Sequence, residues 1–236
     1  MKIAVLTTDT PHHRFFLQKL SHLFKIELIL FETSSVEAKY DTSYKYIKKE
    51  IKFENKNFFK KIDNSIPRVK KFYYKNINNK NAINQINKLK IDIGVIFGTR
   101  KVTLDTIKAF NIKLMNVHRG IVQKYRGLDS ELWAIYRGDF NNIGVTIHEV
   151  DQNLDTGNII LQKKLRITHN TKIFQLRYLT TLVATDLIIK ILTNYKKNKI
   201  FNSKKFKPGK YYSFMPSSKK MVAEKKFSLL KASLKD

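Results

Sequence analysis

Cysteine is absent from this chain of 236 residues, and glycine, proline and tryptophan are scarce, with 8, 4 and 1 copies. Without cysteine there is no disulfide, no thiol nucleophile and no cysteine-ligated zinc or iron–sulfur centre. The absence fits a reducing compartment. No apolar run reaches the roughly 18–20 residues of a membrane span. The opening "MKIAVLTTDT" is too short an apolar stretch for a secretory signal, and Asp9 interrupts it. A soluble cytoplasmic protein with no membrane partner is therefore expected. Acidic residues are also few: 19 Asp and Glu against 46 Lys and Arg leave a formal charge of +27. An anionic partner, such as RNA or a phosphorylated substrate, is one reading of that excess. The other is the composition bias of an AT-rich coding sequence. Lys, Asn and Ile recur together, as in "KNINNKNAINQINKLK", and lysine outnumbers arginine, the better bidentate phosphate binder.

What is present reads as alternating strands and helices. "KIAVLTT" is a short β-branched and aliphatic run, hence a buried strand. Thr10 followed by Pro11 is a helix start, and Phe16, Leu20, Leu23 and Phe24 give that helix an apolar face. "IELILF" is the next strand, so the first 31 residues form a βαβ unit with a parallel strand pair. "IDIGVIFG", "IKLMNVH", "IGVTIHEV" and "NIILQKKLRI" supply further strands, the last two as a hairpin around "DQNLDTG". A helix in "YKYIKKEIKFENKNFFKKI" is expected to turn Ile47, Ile51, Phe58 and Ile62 inward, and an apolar helix is expected over Thr171 to Leu192. The sum is an α/β fold: a Rossmann-like, mostly parallel sheet with helices on both faces. A catalytic domain is placed at residues 1–195. Residues 196–236 read as a basic, weakly packed C-terminal extension.

Ligands in such sheets sit beyond the carboxyl ends of the strands. Two polar turns fall there: Thr8–His13 after the first strand, and "NVHRGIVQKYRG" from Asn116. Asn116 and His118 alternate along a strand end and can face one side. An Asn amide can stabilise a developing oxyanion, and a His can move a proton. "VDQNLDTGNII" adds Asp151 and Asp155, with Gly157 permitting a tight backbone. Donor, base and orienting carboxylate suit acyl transfer; on spacing alone, a core histidine and a turn-forming aspartate remain an equal alternative.

The stretch "MNVHRGIVQKYRGLDSELWAIYRGDFNNIGVTIHEVDQNLDTGNIILQ" resembles the core of the folate-dependent formyltransferases, the family of glycinamide ribonucleotide, methionyl-tRNA and sugar N-formyltransferases. Asn-x-His, Tyr-Arg-Gly, Gly-Val-Thr-Ile and Leu-Asp-Thr-Gly appear in order. The likeness extends weakly from Met1 to about Ile167 and looks closest to the sugar N-formyltransferase-like members. It implies that Asn116, His118 and Asp155 are the catalytic residues. It implies that Thr99, Arg100, Lys101 and Val102, with Val150 and Asp151 opposite, form the folate pocket, and that the formyl donor is 10-formyltetrahydrofolate, with no metal. Where the family often has proline, this chain has Arg119 and Gln123.

For the acceptor, Thr8, Asp9, Thr10, His12 and His13 at the helix start could receive a substrate phosphate, the histidines and Arg14 adding positive character. Tyr125 and Arg126 are further candidates. The expected substrate is a small primary amine, an amino sugar linked to a nucleotide. A methionyl-tRNA formyltransferase is the alternative; after the core only a long helix and a Lys-rich tail remain, where that enzyme carries a barrel domain. A nucleic-acid-binding protein on a degenerate catalytic fold, and a hydrolase releasing formate, stand further off. A homo-oligomer is left open.

Overall fold

Four apolar runs and the alternating edge stretch "KFYY" become five parallel strands of one sheet. In the computed structural model, which describes residues 1–233, these are β1 (Ile3–Thr7), β2 (Ile26–Glu32), β3 (Lys71–Tyr74), β4 (Ile93–Phe97) and β5 (Lys113–His118). A short strand β6 (Tyr125–Gly127) follows. Then β7 (Gly144–Glu149) and β8 (Ile159–Lys164) join the sheet antiparallel, and a last strand β9 (Lys210–Tyr212) lies apart. The order across the seven-stranded sheet is β3-β2-β1-β4-β5-β7-β8.

Strand geometry sends successive side chains to opposite faces, and the sequence fills both. Ile3 and Val5 belong to one buried cluster; Ala4 and Leu6 belong to another. The first face is covered by helices α1 (Pro11–Leu23) and α6 (Leu176–Asn198), the second by α3 (Lys80–Leu89) and α4 (Leu104–Lys108); α2 (Ile47–Phe58) lies outside α1. Burial on both faces explains why these strands read as continuous apolar runs. The expected α/β architecture, with a mostly parallel sheet sandwiched between helices, is the one observed. No helix of the described residues is long and apolar enough to cross a membrane.

Three expectations fail for physical reasons. In α2, Ile47 and Ile51 are exposed, while Glu50, Glu54 and Phe58 point inward. Arg177 on α6 decides this: its guanidinium lies 3.1 Å from Glu50 Oε2 and 2.7 Å from Glu54 Oε1, so the buried carboxylates are paired. The long helix also begins later than Thr171; a 3₁₀ turn at Ile173–Gln175 precedes α6. Finally, the segment after residue 196 is not weakly packed, although its last three residues lie outside those described. It folds back so that β9 pairs in parallel with β6. Helix α7 (Ser217–Ser233) then packs on α5 (Ser130–Tyr136). Met215, Ala223 and Phe227 are buried there with Leu132, Trp133 and Ile135, a third core. The Trp133 indole N–H donates to Ser213 O at 2.9 Å, and the Met215 N–H donates to Asp129 Oδ2 at 2.8 Å.

Candidate active site

Strand register builds the site. Asn116 and His118 are the last alternate residues of β5, so both project beyond its carboxyl end on one side. Strand β7 runs beside it antiparallel, setting His148 opposite Asn116 and Thr146 opposite His118. The β7–β8 connection then brings Asp155 over the same point. This tight return needs a glycine, because a Cβ on Gly157 would collide with the carbonyl of Glu149. Asp155 itself adopts a left-handed backbone, φ +53°, a conformation that Asp tolerates better than most residues.

The polar cluster is closed around the Asp155 carboxylate, which is 5% exposed. Its Oδ2 accepts from the Gly127 N–H at 2.8 Å and lies 3.4 Å from His118 Nδ1. Its Oδ1 accepts from Asn116 Nδ2 at 3.2 Å and lies 3.3 Å from His148 Nε2. Burial pushes the carboxyl pKa up, but the opposing pull of His118, the His148 bond and field, and the Gly127 N–H hold it well below the usual carboxylate range. On the far edge of its ring, His118 Nε2 lies 2.8 Å from Tyr125 O. Both ring nitrogens therefore lie near oxygen acceptors. Ser130 Oγ lies 3.4 Å from the same Nε2. His148 Nδ1 donates to Glu149 O at 2.6 Å, and its Nε2 lies 3.2 Å from Asn116 Nδ2 and 3.3 Å from Asp155 Oδ1, able to accept from the first or donate to the second.

These groups open onto a cavity of about 190 Å³ between the carboxyl ends of β4 and β5 and the turn after β7. Thr99, Arg100, Lys101 and Val102 form one wall, and Val150 and Asp151 form another. Arg100 is locked in place: its Nε donates to Glu32 Oε1 at 2.6 Å, its N–H to Glu32 Oε2 at 2.8 Å, and its Nη2 to Ser34 Oγ at 2.7 Å. Asp151 is likewise held, accepting from Thr156 Oγ1 at 2.7 Å. The backbone N–H groups of Lys101, Val102 and Asp151 donate to no described residue. A slot with Val102 and Val150 in its walls and unused backbone donors at its edge suits a flat heterocycle with ring nitrogens and a carbonyl.

The other candidates lie elsewhere. Thr8, Asp9, Thr10, His12 and His13 do not line this cavity. His12 and His13 are buried, at 5% and 3% exposure. His13 Nδ1 lies 2.8 Å from Thr8 Oγ1 and 2.9 Å from Thr10 Oγ1. Burial, reinforced for His12 by Arg119 and for His13 by His12, lowers both pKa values well below the ordinary 6.5. The expected positive character is therefore missing from these rings. Arg14 is spent as well, its Nε donating to Asp9 Oδ1 at 2.6 Å. Tyr125 is buried with its hydroxyl on Asp139 at 3.0 Å, and Arg126 ties Leu154 O at 3.0 Å to Gly209 O at 2.7 Å. Both build the turn around Asp155. His148 was not among the sequence candidates; the alternation of "VTIHEV" places it on the face of Thr146, but only the pairing with β5 brings it to Asn116.

This fold and site define a class. A family model of formyl transferases matches residues 1–190, and the chain belongs to that family. Among relatives, it is 31% identical over 132 residues to a methionyl-tRNA formyltransferase of Finegoldia magna; the match covers 56% of this chain and 42% of that protein. The chain thus spans less than half of that relative's length. A solved 4-N formyltransferase from Francisella tularensis superposes with a TM-score of 0.63 at 17% identity, covering 96% of this chain and 87% of the other. HypX from Aquifex aeolicus, solved with tetrahydrofolic acid, superposes with a TM-score of 0.60 at 15% identity, covering 97% of this chain and 34% of the other. At these identities the two structures share the fold.

Proposed function

We propose that this protein transfers the formyl group of 10-formyltetrahydrofolate to a primary amine of a small, nucleotide-linked amino sugar. The observation that carries the reading is the meeting of Asn116, His118 and Asp155 at one wall of the cavity. The walls at Thr99–Val102 and Val150–Asp151 suit the donor's ring, with the unused N–H groups of Lys101, Val102 and Asp151 as its hydrogen-bond donors. The donor supplies an activated formyl carbon.

The chain supplies the rest. Asn116 exchanges its bond to His148 for one to the formyl oxygen, where negative charge develops as the amine attacks. His118 adds positive charge at the same point, its ring oriented by Asp155 and Tyr125 O. As the new C–N bond forms and the bond to the donor nitrogen breaks, one amine proton must reach that nitrogen. A water held near the Asp155 carboxylate relays it, the carboxylate itself staying ionised. Turnover is tested by incubating the protein with 10-formyltetrahydrofolate and a panel of nucleotide-linked 3-amino and 4-amino sugars. Acceptor-dependent release of tetrahydrofolate is expected. Release without an acceptor indicates a hydrolase instead and overturns the transfer reading.

A second reading, a methionyl-tRNA formyltransferase-like enzyme, is favoured by the relative from Finegoldia magna and by the charge of +27. Formylation of charged initiator tRNA in the same assay would establish it. A non-catalytic nucleic-acid-binding protein predicts salt-sensitive RNA binding with no turnover.

A further inference from the structure

The turn after His118 separates two cavities. Arg119, Asp129 and Glu131 line both the catalytic cavity and a second one of about 350 Å³. The second is also lined by Tyr44, by Lys220 of α7, by Glu50 of α2 and by Arg177 of α6.

Its cations differ in how they are occupied. Arg177 is held by Glu50 and Glu54. Lys220 donates to Thr42 O at 2.8 Å and lies 3.5 Å from Asp129. Arg119 makes no hydrogen bond or ion pair with any described residue, and its Nη1 is buried without a partner. The Tyr44 hydroxyl is buried and unpartnered in the same cavity. Buried donors in folded proteins almost always have acceptors, and an unpaired guanidinium is the costliest kind to leave without one.

A guanidinium nitrogen and a hydroxyl, both unpartnered and both lining one cavity, offer donors to an oxyanion, and the planar fork can match two oxygens of a phosphate. Acidic groups also face the cavity. Asp129 is engaged by Lys220 and by the Met215 N–H. Burial raises Glu50 to about 7 despite Arg177 and Arg119, so near neutral pH it repels an anion less than a full charge would. Glu131 makes no ion pair among the described residues and stands at the junction, where an amine or hydroxyl of the same molecule could meet it.

We propose that Arg119 and the Tyr44 hydroxyl bind a phosphate or diphosphate group of the acceptor in this second cavity, with the acceptor reaching past Glu131 to His118. The site deepens the proposed function and rests on it for the identity of the bound molecule, but not for the binding itself. It relocates the phosphate from the start of α1, where His12 and His13 are buried and neutral and Arg14 is paired.

The test is calorimetric titration of the full chain, at about physiological salt so that diffuse charge is screened, with inorganic phosphate, inorganic pyrophosphate and dTDP. Wild type should bind pyrophosphate or dTDP, and Arg119→Ala should weaken that binding by about 10–100-fold, the range for a lost charge-assisted hydrogen bond. Arg119→Lys should keep part of it, Tyr44→Phe should lose several-fold, and Lys88→Ala on the exposed face of α3 should change nothing. Tetrahydrofolate binding to Tyr44→Phe, whose side chain lines the second cavity and not the first, should match wild type. Tighter binding of dTDP than of pyrophosphate supports a nucleotide-linked acceptor; equal binding supports a simple phosphate ester. Should Arg119→Ala fail to fold, Tyr44→Phe and Arg119→Lys decide. Absence of anion binding in wild type, or equal loss in Lys88→Ala, overturns the proposal. Arg119-dependent anion binding without any formyl transfer would instead leave the site standing and remove the proposed activity.

Discussion

Two turns at the carboxyl edge of the sheet look alike in the sequence and are opposite in the fold. The turn after β1, "TDTPHHR", carries two histidines and an arginine, and the turn after β5, "NVHRG", carries one of each. In the first, both rings are buried among hydroxyls and Phe97, and the arginine is paired with Asp9. In the second, the histidine is aimed by a carboxylate into a cavity, and Arg119 has no partner among the described residues. Residue type announces that a turn has chemistry to offer. Whether the chemistry is available depends on what the rest of the chain spends it on.

The contrast can be broken from either side. The largest expected effect belongs to the second turn: His118→Ala should cut formyl transfer by about 100–1000-fold or more, with the folded state retained by circular dichroism. Next is the cover over that turn. Phe227 of α7 is 2% exposed, and Phe227→Ala should cost about 3–5 kcal/mol in urea unfolding. A near-zero cost would mean that the C-terminal helix does not pack as described.

A smaller effect belongs to the first turn and is read from pH. His12 and His13 have folded-state pKa values below the ordinary 6.5, so their contribution to stability is complete above pH 6.5. It is lost as pH falls, because the unfolded chain takes up protons that the fold refuses. Each can contribute up to about 1.4 kcal/mol per pH unit below 6.5. Glu50 works against them: its folded value, about 7, lies above its ordinary 4.5, so it favours the fold as pH falls between those values. Two histidines against one carboxyl leave stability declining from pH 6.5 towards 5. His13→Gln should flatten that decline in denaturant titrations at stepped pH; an unchanged slope would mean that His13 is not buried as a neutral ring. The smallest effect is expected from Arg14→Ala. Its pair with Asp9 is a third exposed, so stability should change by under about 1 kcal/mol and acceptor KM not at all. A large rise in KM would return the phosphate to α1.

Much of this was legible beforehand, for local reasons. Strands buried on both faces announce themselves as apolar runs, so β1, β2, β4 and β5 were readable, and with them the edge where a ligand should sit. The catalytic candidates followed from "NVH" and "LDTG". What escaped depends on partners far along the chain. Glu50 and Glu54 turn inward because Arg177 meets them from α6. His148 joins the cluster only through strand pairing. The C-terminal segment, basic and unremarkable in composition, packs because Met215, Ala223 and Phe227 find the apolar face of α5.

One measurement bears most directly on the central claim: acceptor-dependent consumption of 10-formyltetrahydrofolate by wild type and by Asp155→Asn, an isosteric change that removes the charge facing His118. The account predicts turnover in the wild type and a loss of at least about 100-fold in the variant, with donor binding unchanged. Equal turnover by the two proteins would contradict it.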